Sequence, residues 1–326
     1  MTFSIAPMMK CTDQHCRYFH RILTKRAILF TEMISVDAII FGPTYQLLSS
    51  NCFDDRTVLQ VGGNDPKKMG RVAKIVEKYG YTEINLNIGC PSNRVKSGNF
   101  GACLMASPQT VSDCVKSIKD HSNLNVSIKC RIGIDDMSSE GLDKFVSATS
   151  NAGVTKFIIH ARKAILRGLS PKQNRNIPPL DYERVKRLKT DNKDLIIILN
   201  GGVLSLENGI QYIRDLNLDG FMIGREAYKN PYILSCVDKV VYGSSEKENV
   251  TRRMVAFKVA DYIDKYLINN NDHLIIRHIL GLYNNMHSSR EWRKNILDKS
   301  FYKLKGDKIR FATDKIEKII SHRKAA

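Results

Sequence analysis

The sequence lacks any apolar run that could cross a bilayer. Its longest purely aliphatic stretch is Leu195–Leu199, whereas a membrane-spanning helix needs about 20 apolar residues. The first residues contain neither a basic segment nor a long apolar core, so we expect no secretory signal peptide. Membrane and secreted classes of protein are therefore disfavoured, and we predict a cytoplasmic location with no membrane partner.

Cysteine pairs and metal-ligand spacings are also missing. None of the eight cysteines lies in a C-x-x-C pair, which argues against zinc ribbons and redox dithiols. No spacing of histidine, cysteine or carboxylate residues is typical of a metal site, so we predict no metal. No G-x-G-x-x-G follows the first predicted strand, and this disfavours a dinucleotide-binding open sheet.

Acidic residues are few relative to basic ones. The chain has 33 Asp and Glu residues against 51 Lys and Arg residues, a net charge of +18. From residue 241 onward it has 18 basic and 10 acidic residues, so the last quarter is about twice as positive per residue as the rest. A basic surface attracts polyanions, above all nucleic acid. A general solubility bias is the alternative explanation.

Short apolar runs rich in β-branched residues alternate with longer helical patterns along the first 240 residues. This alternation predicts parallel β-α-β units, and eight of them predict a (β/α)8 TIM barrel. A doubly wound open sheet is the second alternative. The predicted strands are Phe3–Pro7, Ile28–Met33, Thr57–Val61, Glu83–Asn87, Val126–Lys129, Lys156–His160, Leu195–Asn200 and Gly220–Ile223.

Helix start signals and a purely helical tail complete the predicted organisation. The predicted N-caps are Asp65, Ser107, Ser138, Asp181 and Ser205. The predicted tail helices are Val250–Ile268, His273–Met286, Glu291–Lys305 and Arg310–Arg323. We therefore predict a catalytic barrel over residues 1–242 and a small helical domain over residues 243–326.

Polar and glycine residues gather where the predicted strands end, which is the active-site face of a barrel. Glycines after the last two strands, followed by an arginine, are typical of a phosphate site, although a tight turn explains paired glycines equally well. The residues at these ends are Pro7, Met8, Met9, Gln60, Asn87, Cys90, Lys129, Arg131, His160, Asn200, Gly201, Gly202, Gly224 and Arg225.

Two of these residues carry open alternatives. Lys129 lies inside an apolar strand, so it either forms a salt bridge or presents a cation to an electron-rich ring. Cys90 follows a strand end, and an inert cysteine is the commoner case. A catalytic Cys90 fits a general acid better than a nucleophile, because a thiol with a pKa near ~8.5 keeps its proton at neutral pH.

Ten stretches of the chain resemble the tRNA-dihydrouridine synthases, most closely the DusA subfamily. The resemblance covers nearly the whole chain, and the loop around Cys90 is the family's mark. The matching stretches are Ser4–Met9, Leu29–Met33, Glu83–Ser92, Phe100–Met105, Phe157–Ala164, Gly168–Lys172, Ile177–Tyr182, Asn200–Gly202, Gly224–Tyr228 and Arg290–Arg293.

The resemblance implies a barrel that binds FMN, is reduced by NADPH and acts on tRNA, with no obligate protein partner. Hydride would pass from the flavin to C6 of a D-loop uridine, and Cys90 would protonate C5. The implied flavin contacts are Pro7, Met8, Met9, Gln60, Lys129, His160, Asn200, Gly201, Gly202, Gly224 and Arg225. The implied substrate contacts are Asn87 for the uridine, and Lys172, Arg175, Arg290 and Arg293 for tRNA.

Two other classes of function share some of these features. An FMN-dependent oxidoreductase of the dihydroorotate dehydrogenase type would share the barrel and the phosphate site, but it needs no basic helical tail. A non-catalytic tRNA-binding scaffold would share the tail, but it needs neither Cys90 nor the flavin residues.

Overall fold

The computed structural model describes residues 1–49, 55–92, 95, 97–245, 250–267, 271–298 and 305–325. The chain divides into two compact units. The first contains Met1–Met9 and Ile28–Gly224, and the second contains Lys10–Ala27 and Arg225–Ala326. The second unit thus begins earlier than the predicted boundary at residue 243, and it also takes in a segment from near the start of the chain.

The first unit is an eight-stranded barrel, as the alternating pattern predicts. All of the strand pairs are parallel, and the order around the sheet is β1-β8-β7-β6-β5-β4-β3-β2. A parallel bridge between Ser4 and Ile28 brings β1 to the start of β2 and closes the ring. The strands are β1 Thr2–Ile5, β2 Leu29–Ser35, β3 Thr57–Gly62, β4 Glu83–Ile88, β5 Asn125–Arg131, β6 Lys156–His160, β7 Ile196–Asn200 and β8 Gly220–Ile223.

Helices cover the outside of the barrel, because the outward residues of each strand are apolar and need cover. In the barrel unit they are α2 Val36–Phe41, α3 Thr44–Leu48, α4 Pro66–Lys78, α5 Pro108–His121, α6 Ser139–Asn151, α7 Tyr182–Asp191 and α8 Leu206–Leu216. Two 3₁₀ segments, Gly101–Ala106 and Gln173–Arg175, lie in the loops after β4 and β6.

The predicted N-cap residues all lie at helix starts, but not all of them form a side-chain capping hydrogen bond. The side chains of Asp65, Asp181 and Ser205 accept hydrogen bonds from the first turns of α4, α7 and α8. Ser107 and Ser138 occupy N-cap positions, yet neither side chain makes a capping hydrogen bond. At Ser107 a proline follows and already favours the helical backbone, since its fixed φ suits the first position of a helix.

One side of the barrel interior is an apolar core. Side chains from six strand regions or their ends pack together there and are almost fully buried. These residues are Ala6, Phe30, Val58, Ile158, Ile198 and Met222. Burying a Val, Ile, Phe or Met side chain in this way contributes roughly 1.5–3 kcal/mol, so this cluster stabilises the barrel. The other half is lined by polar residues, which are described below.

The second unit is helical, as predicted for the tail. Its single tryptophan, Trp292, is buried, packs against Tyr283 with 4.8 Å between the ring centroids and 46° between the ring planes, and donates from Nε1 to the carbonyl of Ile279. The helices are α1 Gln14–Leu23, α9 Arg225–Lys229, α10 Val237–Val240, α11 Arg252–Tyr266, α12 His273–Ile279, α13 Ser289–Leu297 and α14 Gly306–Ala325.

Two predicted tail helices differ from the structure at their ends. The helix predicted over His273–Met286 stops at Ile279, and a turn follows in which Asn285 has a φ of 62°, a backbone region that ends a right-handed helix. The helix predicted over Glu291–Lys305 ends at Leu297. Residues 299–304, and Ile268 at the end of the helix predicted over Val250–Ile268, lie outside the described residues.

The part of the chain that the structure describes contains no helix that is both long and apolar enough to span a membrane. It also contains no cluster of three or more histidine, cysteine or carboxylate side chains that could hold a metal ion.

Candidate active site

The strand register brings several of the predicted site residues to one rim of the barrel. Asn87 of β4 lies level with Lys129 of β5, and Arg131 lies level with His160 of β6. His160 in turn lies level with Asn200 of β7. Because all strands run in the same direction, their carboxyl ends share one face. The predicted residues of β4 to β7 therefore surround a common opening.

Lys129 presents a cation at this rim. Its Nζ donates to Asn200 Oδ1 at 2.9 Å, and Asn200 Nδ2 donates to the carbonyl of Met222 at 2.9 Å. Burial and the positive charge of Arg131 lower the pKa of Lys129 to about 8. The partner that the structure shows is an amide oxygen and not a carboxylate, so its positive charge is left available for an electron-rich ligand.

Asn87 fixes the loop that carries Cys90. Its Oδ1 accepts from the backbone N–H groups of Gly89 and Cys90 at 3.2 and 3.0 Å. Its Nδ2 donates to Gln60 Oε1 at 2.8 Å. Gln60 is only 1% exposed, so its amide lies beneath the rim. The family resemblance implies a substrate contact for Asn87, and the structure adds a contact to the cysteine loop.

Cys90 lies at the rim and is partly exposed. Its Sγ is 3.5 Å from Ser92 Oγ, and its carbonyl accepts from the N–H of Ala102 at 3.0 Å. Gly101 has a φ of +75°, and a Cβ there would lie 2.8 Å from the Cys90 carbonyl oxygen, so this close approach requires glycine. In the described ranges, the thiol makes no hydrogen bond to a histidine, so the paired base that a nucleophilic cysteine needs is not in place there.

Arg131 is a site residue for which the sequence analysis gives no role. It is 3% exposed, and its guanidinium donates to the carbonyls of Gly89, Lys163 and Asn174 at 3.0 Å each. It therefore ties the cysteine loop to the loop after β6. Burial lowers the pKa of Arg131 to about 10. Its position two residues after Lys129 was the available signal, since alternate strand residues face the same side.

The loop after β6 is organised by Asn174, which is fully buried. Its side chain accepts from the N–H of Ile165 and donates to the carbonyls of Ile165 and Leu169. Two predicted tRNA contacts, Lys172 and Arg175, are exposed on this loop. A buried amide that bonds several backbone groups holds a loop in one conformation, so the two cations are displayed from a fixed segment.

Glycines follow β7 and β8, as expected for a phosphate site. Gly201 and Gly202 have φ values of +100° and +75°, and Tyr182 Oη donates to the Gly201 carbonyl at 3.0 Å. A Cβ at Gly201 would lie 2.5 Å from His160 Cδ2. The glycine therefore lets the His160 ring pack against the turn. Around Gly224 the neighbouring Ala6 Cβ is 3.5 Å from the Cβ position, which leaves ordinary space.

The remaining predicted residues lie at three other places in the chain. Pro7, Met8 and Met9 follow β1, and Met9 is 52% exposed. Arg225 is the first residue of α9, in the helical unit, and is exposed. Arg290 and Arg293 are exposed one turn apart on α13, while Trp292 between them anchors the helix in the core.

Two cavities lie in the barrel unit beside the loop after β6. The larger has a volume of about 630 Å³ and the smaller of about 350 Å³. The larger is lined by Ala106, Ile134, Asp135, Asp136, Met137, Ile165 and Arg167. The smaller is lined by Ile132, Lys163, Ile165, Leu169, Ile177, Pro178, Pro179 and Asp181. Neither lining includes Cys90 or Lys129, so we place the candidate chemistry at the rim and not in these cavities.

A closed parallel barrel with cations, amides and a thiol at its carboxyl rim defines a TIM-barrel enzyme. A structural comparison agrees on the fold: a 2-naphthoyl-CoA reductase in complex with 2-naphthoyl-CoA matches with a TM-score of 0.55 and 9% identity, over 74% of this chain and 50% of that one. The family model for dihydrouridine synthase (Dus) matches residues 4–318. The chain belongs to the dihydrouridine synthase family.

Individual relatives are similar over most of their length. A tRNA-dihydrouridine(20/20a) synthase from Vibrio vulnificus is 49% identical over 297 residues, which cover 90% of this chain and 90% of that protein. A protein of the same name from Escherichia coli K12 is 47% identical over 296 residues, which cover 90% of this chain and 84% of that protein. The family named from the sequence motifs is thus confirmed.

Proposed function

We propose that this protein reduces the C5=C6 bond of D-loop uridines in tRNA, at the positions 20 and 20a that its relatives' names give. The observation that carries the proposal is the setting of Cys90. Asn87 and Arg131 fix the loop that bears its thiol, and Lys129 supplies a cation at the same rim. A thiol and a cation at the mouth of a barrel suit a reduction that ends in a proton transfer.

The residues at the rim fit a flavin, and we propose FMN reduced by NADPH. Lys129 offers N–H donors that match the carbonyl and nitrogen acceptors of a flavin ring, and Asn200 holds its ammonium in place. Gln60 lies beneath the rim and supports Asn87 there. The turn at Gly201 and Gly202 offers backbone N–H groups of the kind that bind phosphate. When bound, reduced FMN supplies hydride to C6 of the uracil.

Cys90 completes the reduction by delivering its thiol proton to C5 of the uracil. The thiol hydrogen is the only part of this side chain that changes partner, and the resulting thiolate recovers a proton from solvent at the rim. Ser92 Oγ, 3.5 Å away, is suited to stabilise that thiolate. General acid catalysis of this kind contributes typically 10²–10⁴-fold to a rate.

Recognition of tRNA is assigned to exposed cations on both units. Lys172 and Arg175 stand on the loop that Asn174 organises, and Arg290 and Arg293 stand on α13. Such cations neutralise backbone phosphates, while the uridine itself turns out of the RNA to reach the rim. Asn87 retains one N–H for a uracil oxygen after its bond to Gln60. A tRNA substrate accords with the predicted cytoplasmic location.

The experiment is mass spectrometry of D-loop fragments after incubation of dihydrouridine-free tRNA with protein, FMN and NADPH. We expect each reduced uridine to gain two hydrogen masses. Cys90→Ala should lose about 10²–10⁴-fold in the rate of uridine reduction and keep NADPH oxidation. Cys103→Ala is the matched control, because that neighbouring thiol donates to the carbonyl of Phe100. Failure to modify tRNA, together with turnover of orotate, would favour the small-molecule alternative.

A further inference from the structure

A chain of hydrogen bonds crosses the polar half of the barrel interior from the rim to the opposite end of β4. Asn87 Nδ2 donates to Gln60 Oε1, Gln60 Nε2 donates to Asn85 Oδ1, and Asn85 Nδ2 donates to Ser127 Oγ, each at 2.8 Å. Ser127 Oγ then donates to Glu83 Oε1 at 2.6 Å. Every donor in this chain faces the same way.

The groups at the two ends of the chain allow its hydrogen bonds to run in only one direction. At the far end, Glu83 is a carboxylate, which only accepts, and its second oxygen pairs with Lys156 Nζ at 2.5 Å. At the rim, the backbone N–H groups of Gly89 and Cys90 only donate, and both point at Asn87 Oδ1. The groups between these ends are amides and one hydroxyl, each of which can turn either way.

The carboxylate therefore decides how each amide faces. Because Glu83 can only accept, Ser127 must donate to it, and its lone pair is left for Asn85 Nδ2. The oxygen of Asn85 then faces Gln60 Nε2, and the oxygen of Gln60 faces Asn87 Nδ2. The oxygen of Asn87 is left facing the N–H groups of the cysteine loop, which is the orientation that this loop needs.

We propose that Glu83, Ser127 and Asn85 are positioning residues, which orient the Asn87 amide and through it hold the Cys90 thiol at the rim. The inference rests on the proposed role of Cys90 as the proton donor. Asn85 and Ser127 are at most 1% exposed, so neither reaches a ligand at the rim. Their effect on the reaction passes through Asn87.

The barrel fold does not require this chain of hydrogen bonds. The opposite half of the same interior is filled by apolar side chains, and well-packed apolar residues are as stable as a buried polar network, or more so. On β1 of that half, Ser4 Oγ is buried and, among the described residues, has no hydrogen-bond partner. Ser4 is thus a buried hydroxyl without a connection to the rim. Ser127 differs from it because hydrogen bonds through Asn85 and Gln60 connect it to Asn87.

The sharpest test reverses the direction of the hydrogen bonds by replacing one carboxylate oxygen of Glu83 with an NH₂ group. In Glu83→Gln, the charged Lys156 attracts the oxygen of the new amide, and the NH₂ group of that amide turns to Ser127. Ser127 must then accept, and each amide that follows turns over until Asn87 presents its NH₂ group to the loop N–H groups. In the double variant Glu83→Gln with Lys156→Met, the oxygen of the new amide is free to turn back to Ser127, so the original direction is restored.

Two independent measurements report on the chain of hydrogen bonds, one through the loop amides and one through the reaction rate. Hydrogen–deuterium exchange of the Gly89 and Cys90 amides should be about tenfold faster in Glu83→Gln and in Ser127→Ala than in the wild type. Glu83→Gln turns the Asn87 oxygen away from the loop, and Ser127→Ala removes the link through which Glu83 fixes the direction of the amides. The kcat for uridine reduction should fall about 10- to 100-fold through misplacement of the thiol, with NADPH oxidation unchanged. The double variant should recover both values to within about threefold, and Ser4→Ala should match the wild type in both.

The outcomes separate this inference from the proposed function. If Ser127→Ala exchanges and turns over like Ser4→Ala, or if Lys156→Met gives no rescue of Glu83→Gln, the positioning role is wrong. If the wild type reduces no uridine, or Cys90→Ala keeps full activity, the proposed function is wrong. In that case the exchange rates of the loop amides still test whether the chain of hydrogen bonds orients Asn87. A lower melting temperature in all variants without loss of kcat would indicate a merely structural network and overturn the inference.

Discussion

Each of the two units has a polar network that is at least partly buried, and the two networks differ in their chemistry. In the barrel, amides and a hydroxyl link Asn87 to Glu83, and the intermediate members do not titrate. In the helical unit, the carboxylate of Asp13 accepts from the imidazole of His278 at 3.0 Å and from the guanidinium of Arg277. The His278 ring also contacts Tyr228 Oη at 3.1 Å.

The difference indicates that buried polarity serves two purposes in this protein. A chain of amides and a hydroxyl that ends on a carboxylate sets the direction of an amide at the rim. A cluster of charged and titratable groups joins parts of the chain that are remote in sequence, since Asp13 and His278 are 265 residues apart. We therefore expect changes in the barrel network to alter rates, and changes in the helical unit to alter stability.

After Cys90→Ala, the largest effect is expected at Lys129. Lys129→Met removes a cation from the rim and should lower the rate of flavin reduction by NADPH about 10²–10³-fold. In the wild type this rate should fall as the pH rises through about 8, where the pKa of Lys129 lies, and this dependence should vanish in the variant. Stopped-flow absorbance measures both. Lys144→Met, on the exposed face of α6, is the control, and equal behaviour of the two variants would contradict the assignment.

The next largest effect is expected at Asp13 and should spare the chemistry. Burial raises the pKa of Asp13, but the bonds from His278, the Cys16 N–H and Arg277 outweigh it and hold the pKa well below its usual range. Asp13→Asn should therefore lower the free energy of unfolding by about 2–3 kcal/mol, with flavin reduction unchanged. Urea unfolding followed by Trp292 fluorescence measures this.

The exposed pair of Asp37 and Lys68 offers the matched control for Asp13. Its side chains are 59% and 39% exposed, so Asp37→Asn should change the free energy of unfolding by less than about 0.5 kcal/mol. A loss at Asp13 as small as the loss at Asp37 would show that the buried network does not stabilise the helical unit.

A smaller effect is expected for tRNA binding by α13. Arg290→Ala combined with Arg293→Ala should weaken tRNA binding about tenfold and reduce the slope of log affinity against log salt by about 1–2. Lys116→Ala combined with Lys144→Ala removes two exposed charges from α5 and α6 and should leave the slope nearly unchanged if α13 holds the RNA. Filter binding at several salt concentrations compares them, and equal slopes in the two double variants would exclude α13.

The smallest effect is an acid sensitivity of the helical unit. Burial and the positive charges of His278 and Arg21 lower the pKa of His20 from 6.5 to about 3. The unfolded chain therefore binds more protons than the folded one between pH 6.5 and 3, so the free energy of unfolding falls as the pH drops through this range. His20→Asn should flatten this slope, as measured by urea unfolding at pH 7.5 and 5.5. An unchanged slope would assign the acid sensitivity to another group.

Much of the site was predictable because its residues follow strand ends. Lys129, His160 and Asn200 each close or nearly close an apolar run, so the barrel rule alone places them on one face. The alternation Glu83, Asn85, Asn87 was also visible, as three polar residues on one face of a strand. The partners of these residues were not predictable, because they depend on the register between β3, β4 and β5, and a shift of one residue turns every side chain to the other face.

The sequence by itself determined the alternation of strands and helices, the helical tail and the family, because each is written in local periodicity or in contiguous motifs. Tertiary structure alone decided that Lys10–Ala27 belongs with the C-terminal helices, that Arg131 ties two loops together, and that a carboxylate inside the barrel orients an amide at its rim. The physical reason is that hydrogen bonds and ion pairs form between groups brought together by closure of the chain, and distance along the sequence does not record which groups will meet.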